Sequence, residues 1–230
     1  MDENELLETL IGSGLLTEVD DGAIQLSTEF ESQVGRYYDR IVADTADVTE
    51  IVAQVGTPTR HVAGLASAAA EDPELVARYL AVRDLAEPLE FVESVRVLVL
   101  LDQLTDPASR TGGSPESFLS IPGERLPAML TIFPLTIVYI WREQCPECDV
   151  MREALDTVFE GGHDQFTLLS VYGPECAELL ESRYEVVGGP TTLFVVDGEI
   201  DCRLQGAHVQ DVIEKEIRNS ITTAELQGVL

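Results

Sequence analysis

Lysine is almost absent from this sequence: Lys215 is the single one among 230 residues, and the other thirteen basic residues are arginine. With 42 acidic residues against 14 basic ones, the formal net charge is −28. The excess is spread along the chain, since residues 1–126 carry 24 acids against 8 bases and residues 127–230 carry 18 against 6. A basic patch is missing, which excludes nucleic acid and anionic membrane as partners, because both are bound through clustered Lys and Arg. Residues 1–10 are acidic and have neither the basic start nor the apolar core of a signal peptide, so no secretory leader is expected in them. The most apolar stretch, residues 126–141, is interrupted by Pro127 and Pro134 and is too short to cross a bilayer about 30 Å thick. Long acidic blocks are also lacking, and 45% hydrophobic content supplies a core, so disorder is excluded.

What remains is a soluble, intracellular chain with an acidic surface. Such a surface repels itself in dilute salt and is tolerated in concentrated salt, where the screening length falls to about 3 Å at 1 M. The composition therefore predicts a cytoplasmic protein of a halophilic organism. In that reducing compartment, the four cysteines point to catalysis, metal binding or simple burial before structural disulfides.

The first half of the chain reads as mostly helical. Residues 3–12 form a short amphipathic helix, and residues 15–26 a hairpin that turns at Asp20, Asp21 and Gly22. Thr28 and Glu31 make a capping box for a helix reaching about Ala43. Further helical segments end at Gly56, run over residues 58–70, and open with Asp72 and Pro73, an N-cap followed by proline at the first helical position. Residues 88–104 are apolar on nearly every side, which predicts a buried central helix. Turn and breaker residues are densest over residues 105–127, where Gly112, Gly113, Pro122 and Gly123 fall. This divides the chain into a helical domain over residues 1–126, ending in a linker at about 105–126, and a second domain over residues 127–230.

The second domain alternates. Strands are predicted over residues 135–141, 166–171, 191–196 and 200–204, and helices over residues 145–160, 175–184 and 209–221. The order β-α-β-α-β-β-α, with a tight turn at Asp197 and Gly198, predicts a parallel pair followed by an antiparallel hairpin, a mixed sheet flanked by helices.

Cys145 and Cys148 stand where the first of these strands hands over to its helix. The positive end of a helix acidifies the first thiol, so Cys145 is the candidate nucleophile. One turn along, Cys148 can attack a mixed disulfide on Cys145 and release the substrate reduced. Pro146 suits a first helical turn because no donor is needed there. A zinc site would need about four ligands, and only one close cysteine pair exists, so no metal is assigned. Cys176, at the start of the next helix, is a candidate third thiol or a buried cysteine; Cys202 reads as core, and His208 as a loop residue near the groove.

Here the last hundred or so residues resemble the thioredoxin family. Ile137 to Trp141 is similar to its active-site strand, with Trp141 four residues ahead of Cys145; Gly188 to Thr191 is similar to its cis-proline loop; Phe194 to Glu199 and Gly206 resemble its closing hairpin and the glycine after it. The resemblance implies a thioredoxin-like fold and thiol–disulfide exchange through Cys145 and Cys148. It also implies a substrate groove bordered by Trp141, Pro146, Glu147, Gly189, Pro190 and Thr191, and no cofactor. Partners would be client proteins with disulfides and an electron-donating reductase or small thiol. Tyr139 stands where the family has a buried aspartate, Gln144 where it has tryptophan, and Pro146 and Glu147 replace Gly-Pro. Glu143, Glu147 and Asp149 add negative charge that opposes the helix dipole. By elimination, the N-terminal domain is left with client choice or homodimerisation. The alternative reading is a redox-silent adaptor in which the helical domain does the binding, with Tyr139 its best support.

Overall fold

In the computed structural model, described over residues 3–19, 23–43, 48–86, 89–105 and 111–230, the chain divides into two compact units, Met1–Ala108 and Ser109–Leu230. The first unit runs α1 (Glu3–Gly12), β1 (Leu16–Glu18), β2 (Ile24–Leu26), α2 (Thr28–Ala43), α3 (Val48–Gln54), α4 (Thr59–Glu71), α5 (Pro73–Leu85) and α6 (Phe91–Thr105). β1 and β2 pair antiparallel, Leu16 opposite Leu26; the expected turn residues Asp20, Asp21 and Gly22 lie outside the described residues, as does Pro88.

Two local expectations are corrected here. The cap of α2 is Ser27, whose hydroxyl accepts the Phe30 N–H at 3.0 Å and donates to the Gly14 carbonyl, so one residue both starts the helix and ties down the hairpin. The central helix is α5 rather than α6. Every residue from Leu75 to Val82 is buried, because α5 packs against α2, α4 and α6, whereas α6 leaves Val92 and Leu104 half exposed. Asp72 caps α5 by accepting the Leu75 N–H at 2.8 Å. Its buried Arg78 is neutralised by Asp102 at 3.0 Å and lies over the Phe30 ring.

The second unit contains β3 (Leu119–Ser120), α7 (Leu126–Ile132), β4 (Leu135–Trp141), α8 (Pro146–Val158), β5 (Thr167–Tyr172), α9 (Ala177–Tyr184), β6 (Thr191–Val196), β7 (Glu199–Gln205) and α10 (Gln210–Gln227). Its five-stranded sheet has the order β3-β5-β4-β6-β7. β4 pairs parallel with β5 and antiparallel with β6, and β6 pairs antiparallel with β7. The expected mixed sheet thus acquires an extra edge strand, because β3 pairs parallel with β5. The expected boundary after residue 126 also shifts: residues 111–126, within the expected linker at about 105–126, belong to this unit and include β3. α7 was not expected, yet Pro127 fits its first turn, where its missing N–H costs nothing.

All seven residues of β4 are buried, as befits the middle strand of a covered sheet. Ile137, Tyr139 and Trp141 face a core shared with Met151 and Leu155 of α8 and Ile213 and Ile217 of α10. The hairpin between β6 and β7 turns at Asp197 and Gly198, both at positive φ (50° and 81°), the backbone twist that a two-residue turn needs between strands. Among the described residues, no helix is long and apolar enough to cross a membrane.

Candidate functional site

The end of β4 delivers the chain to the site. After Trp141 the backbone reverses through Gln144, which sits in the left-handed region at φ 53°, and Cys145 follows as the N-cap of α8. The N-cap position turns the Cys145 side chain back over the first helical turn, so its Sγ accepts the Cys148 N–H at 3.2 Å. Cys145 and Cys148 are joined as a disulfide with Cα atoms 5.2 Å apart. When the pair is reduced, the same N–H and the helix dipole favour a thiolate on Cys145 over one on Cys148. Both cysteines are buried, at 5% and 4% exposure, while Pro146 and Glu147 between them are exposed.

Opposite lies the loop ahead of β6. The Gly189–Pro190 peptide is cis, and the Gly189 carbonyl oxygen is 3.7 Å from Cys145 Sγ. Glycine at 189 suits a close approach: a Cβ there would lie 3.1 Å from the Ile140 carbonyl oxygen and 3.3 Å from Trp141 Cα, tighter than side chains ordinarily pack. The loop is pinned by Thr191 Oγ1, which donates to the Gly188 carbonyl at 2.6 Å, and by the Gly206 N–H, which donates to the Pro190 carbonyl at 2.9 Å. Cys145, Cys148 and Gly189 are thus brought together, with Pro190 and Thr191 following along the same pinned loop. Trp141 lies beneath, against the Tyr172 ring at 5.0 Å between centroids.

Tyr139 occupies the floor under α8 and donates a 2.7 Å hydrogen bond to the Cys148 carbonyl. Burial pushes its hydroxyl well above the ordinary tyrosine range, so it is a neutral donor there and supplies no carboxylate. Cys176 is not brought to the pair. It lines a separate cavity with Glu124, Glu175 and Glu178, and burial, reinforced by Glu124 and Glu175, pushes its thiol up to about 11. Cys202, half-buried on β7, is likewise pushed up to about 11 by burial and Glu216. His208 is held in its loop, with Nε2 3.1 Å from the Gln205 carbonyl oxygen. Among the described residues, no group of three or more His, Cys, Asp or Glu side chains is placed to hold a metal ion.

Three residues that no motif assigns to the site line the same cavity as the disulfide. Gly112, Gly113 and Arg142 line a cavity of about 390 Å³ together with Trp141, Cys145, Cys148 and Asp149. Gly113 packs so closely on the Trp141 ring that a Cβ would overlap it. On the other flank, a cavity of about 210 Å³ is lined by Ile140, Leu180, Val186 and Gly189.

No family profile and no curated protein matches the chain. Among solved structures it is similar to a point-mutant thioredoxin from Halobacterium salinarum NRC-1, with 20% identity and a TM-score of 0.40 over 46% of this chain and 93% of that one. It is also similar to mitochondrial thioredoxin 3 from Saccharomyces cerevisiae in its oxidized form, with 16% identity and a TM-score of 0.40 over 45% of this chain and 95% of that one. The stretch of similarity is less than half the chain, about the length of a single thioredoxin.

Proposed function

We propose that this protein is a thiol–disulfide oxidoreductase acting on disulfides of client polypeptides. The observation that carries the reading is the Cys148 N–H aimed at Cys145 Sγ, at a helix N-terminus and opposite the Gly189 carbonyl. In the reduced protein, the Cys145 thiolate attacks one client sulfur and the other leaves as a thiolate. Cys148, deprotonated in turn, attacks Cys145 Sγ in the mixed disulfide and expels the second client sulfur. The protein is left with the Cys145–Cys148 disulfide and the client has gained two electrons. The Gly189 backbone would hold the client strand, with Pro190, Thr191 and Trp141 shaping the groove and Pro146 and Glu147 at its edge.

The chemistry needs no metal or organic cofactor, only a reductase or small thiol to return the disulfide to the dithiol. The dispersed acidic charge fits work in the concentrated-salt cytoplasm of a halophile, and the helical first unit would select clients or pair two copies. Reduction of insulin disulfides in about 1 M salt tests the reading. Wild-type protein with a chemical reductant should accelerate it, Cys145→Ser should abolish it, and Cys148→Ser should accumulate a mixed disulfide with insulin. Equal rates for all three would leave an adaptor as the function.

A further inference from the structure

Arg142 stands apart electrostatically. In the second unit, Arg152, Arg203, Lys215 and Arg218 pair with carboxylates, Arg183 lies over the Tyr184 ring, and Arg125 is engaged as well. Arg142 alone, among the described basic residues there, has no ion pair, hydrogen bond or ring partner, although the chain holds three acids for every base. It is exposed, one residue beyond Trp141, and lines the cavity that both cysteines border. The other charges on that cavity, Glu143 and Asp149, are negative. None of the cavity's lining residues belongs to the cis-proline loop, whereas the smaller cavity beside Gly188 and Gly189, which Arg142 and Trp141 also line, is bordered by neither cysteine. At about 390 Å³ the space falls within the roughly 300–1,000 Å³ typical of small-molecule sites.

Resting on the oxidoreductase reading, we propose that this cavity admits a small thiol bearing a carboxylate, that Arg142 binds the carboxylate, and that the thiol supplies the electrons that reduce the Cys145–Cys148 disulfide. A free guanidinium at the mouth offers the planar fork that a carboxylate accepts in bidentate fashion, and it offsets the local negative field that would otherwise repel an anionic donor. The incoming thiolate bonds to Cys148 Sγ, the Cys145–Cys148 bond breaks, and its electron pair leaves on Cys145 Sγ. That sulfur is the better leaving group because the Cys148 N–H, 3.2 Å away, receives the charge. A second molecule of the thiol, as thiolate, attacks the donor sulfur of the mixed disulfide. Cys148 leaves as a thiolate, and the donor departs as its own symmetrical disulfide. Two thiols have lost two electrons and two protons, and the protein cystine has gained both as a dithiol.

The test uses the oxidised full chain in about 0.1 M salt. Second-order rate constants for reduction by 3-mercaptopropionate and by 2-mercaptoethanol, each corrected to its thiolate fraction, isolate the carboxylate. The expected result is a faster reaction with mercaptopropionate in the wild type. Arg142→Gln should lower that constant about tenfold, the scale of a charge-assisted hydrogen bond, and reverse the preference. A Cβ at Gly112 meets nothing within 4 Å, so Gly112→Trp should fold, occupy the cavity mouth and slow both thiols. An unchanged ratio of the two constants in Arg142→Gln, or undiminished rates in Gly112→Trp, overturns the proposal. Pre-reduced wild-type protein offered insulin separates the two levels. Insulin reduction with an unchanged ratio sinks the donor site alone, and no insulin reduction sinks both readings.

Discussion

The Tyr139 hydroxyl donates a 2.7 Å hydrogen bond to the Cys148 carbonyl, so the middle strand of the sheet holds the second cysteine from below through a neutral group. Burial keeps that hydroxyl protonated beyond the ordinary tyrosine range. Two consequences separate cleanly in Tyr139→Phe. Stability should fall by about 1 kcal/mol, the usual net value of an intramolecular hydrogen bond, read as a lower denaturant midpoint. The pH dependence of Cys145 alkylation should stay where it was, because neither Tyr nor Phe carries charge at that site between about pH 5 and about pH 9. A displaced alkylation profile would show that Tyr139 takes part in the proton chemistry.

Glu143, Glu147 and Asp149 surround Cys145 on exposed positions, where salt reaches them. Each carboxylate disfavours a thiolate on Cys145, and screening removes part of that effect as the Debye length shrinks from about 10 Å at 0.1 M to about 3 Å at 1 M. Alkylation of Cys145 by iodoacetamide, an uncharged reagent, should therefore quicken roughly twofold to fivefold between about 0.1 M and about 1 M salt near pH 7. Replacing all three acids by their amides should raise the low-salt rate and flatten the dependence. A rate indifferent to salt in the wild type would contradict the electrostatic account.

What could be read from the sequence, and what could not, divides along the range of the interactions involved. β4, α8 and the β6–β7 hairpin were legible because their signals are local: a continuous apolar run, a cysteine pair with Pro146, and Asp197–Gly198 between alternating strands. β3 was not, since two residues carry no period and their strand character comes from pairing with β5, where Leu119 meets Leu169 fifty residues along. Ser27 was overlooked because the Thr28–Glu31 spacing imitates a cap, and the choice is made by the Gly14 carbonyl across the hairpin. The cysteine pair at the start of α8 and the cis Gly189–Pro190 bond ahead of β6 lie where the order of the motifs puts them. Arg142 had no motif, and its lack of a charge partner among the described residues depends on the fold rather than on local sequence. Gly112 and Gly113 read as linker breakers, although Gly113 is selected by a neighbouring ring.

That ring makes Gly113 a direct probe of the site. A methyl at 113 overlaps the Trp141 indole, and neither partner can yield without moving the loop or the floor beneath the disulfide. Gly113→Ala should cost about 1–3 kcal/mol, the range for overpacking. Trp141 is the single tryptophan of the chain, so its emission reports the displacement without interference. A shifted emission maximum in Gly113→Ala, with Gly112→Ala as the unshifted control, is the expected outcome. Identical spectra for both would place the loop elsewhere in solution.

Cys176 gives the pH prediction. Its neighbour Gly123 leaves room for the thiol and no more, since a Cβ there would overlap Sγ. Burial first, then Glu124 and Glu175, raises the thiol from its ordinary value of 9.0 to about 11. The raised value means that the folded state retains a proton that the unfolded chain releases. This contribution to stability is complete below about pH 9 and is lost as pH rises through about 11, because the unfolded state then binds fewer protons. Cys202, also raised to about 11, acts in the same direction. Replacing both by serine should therefore flatten the decline of unfolding free energy between about pH 9 and about pH 11. At neutral pH in the reduced protein, Cys176 should react with iodoacetamide far more slowly than Cys145, and Cys176→Ser should leave insulin reduction at the wild-type rate. A Cys176 that is alkylated as fast as Cys145 would overturn the assignment of this thiol as a half-buried, protonated group.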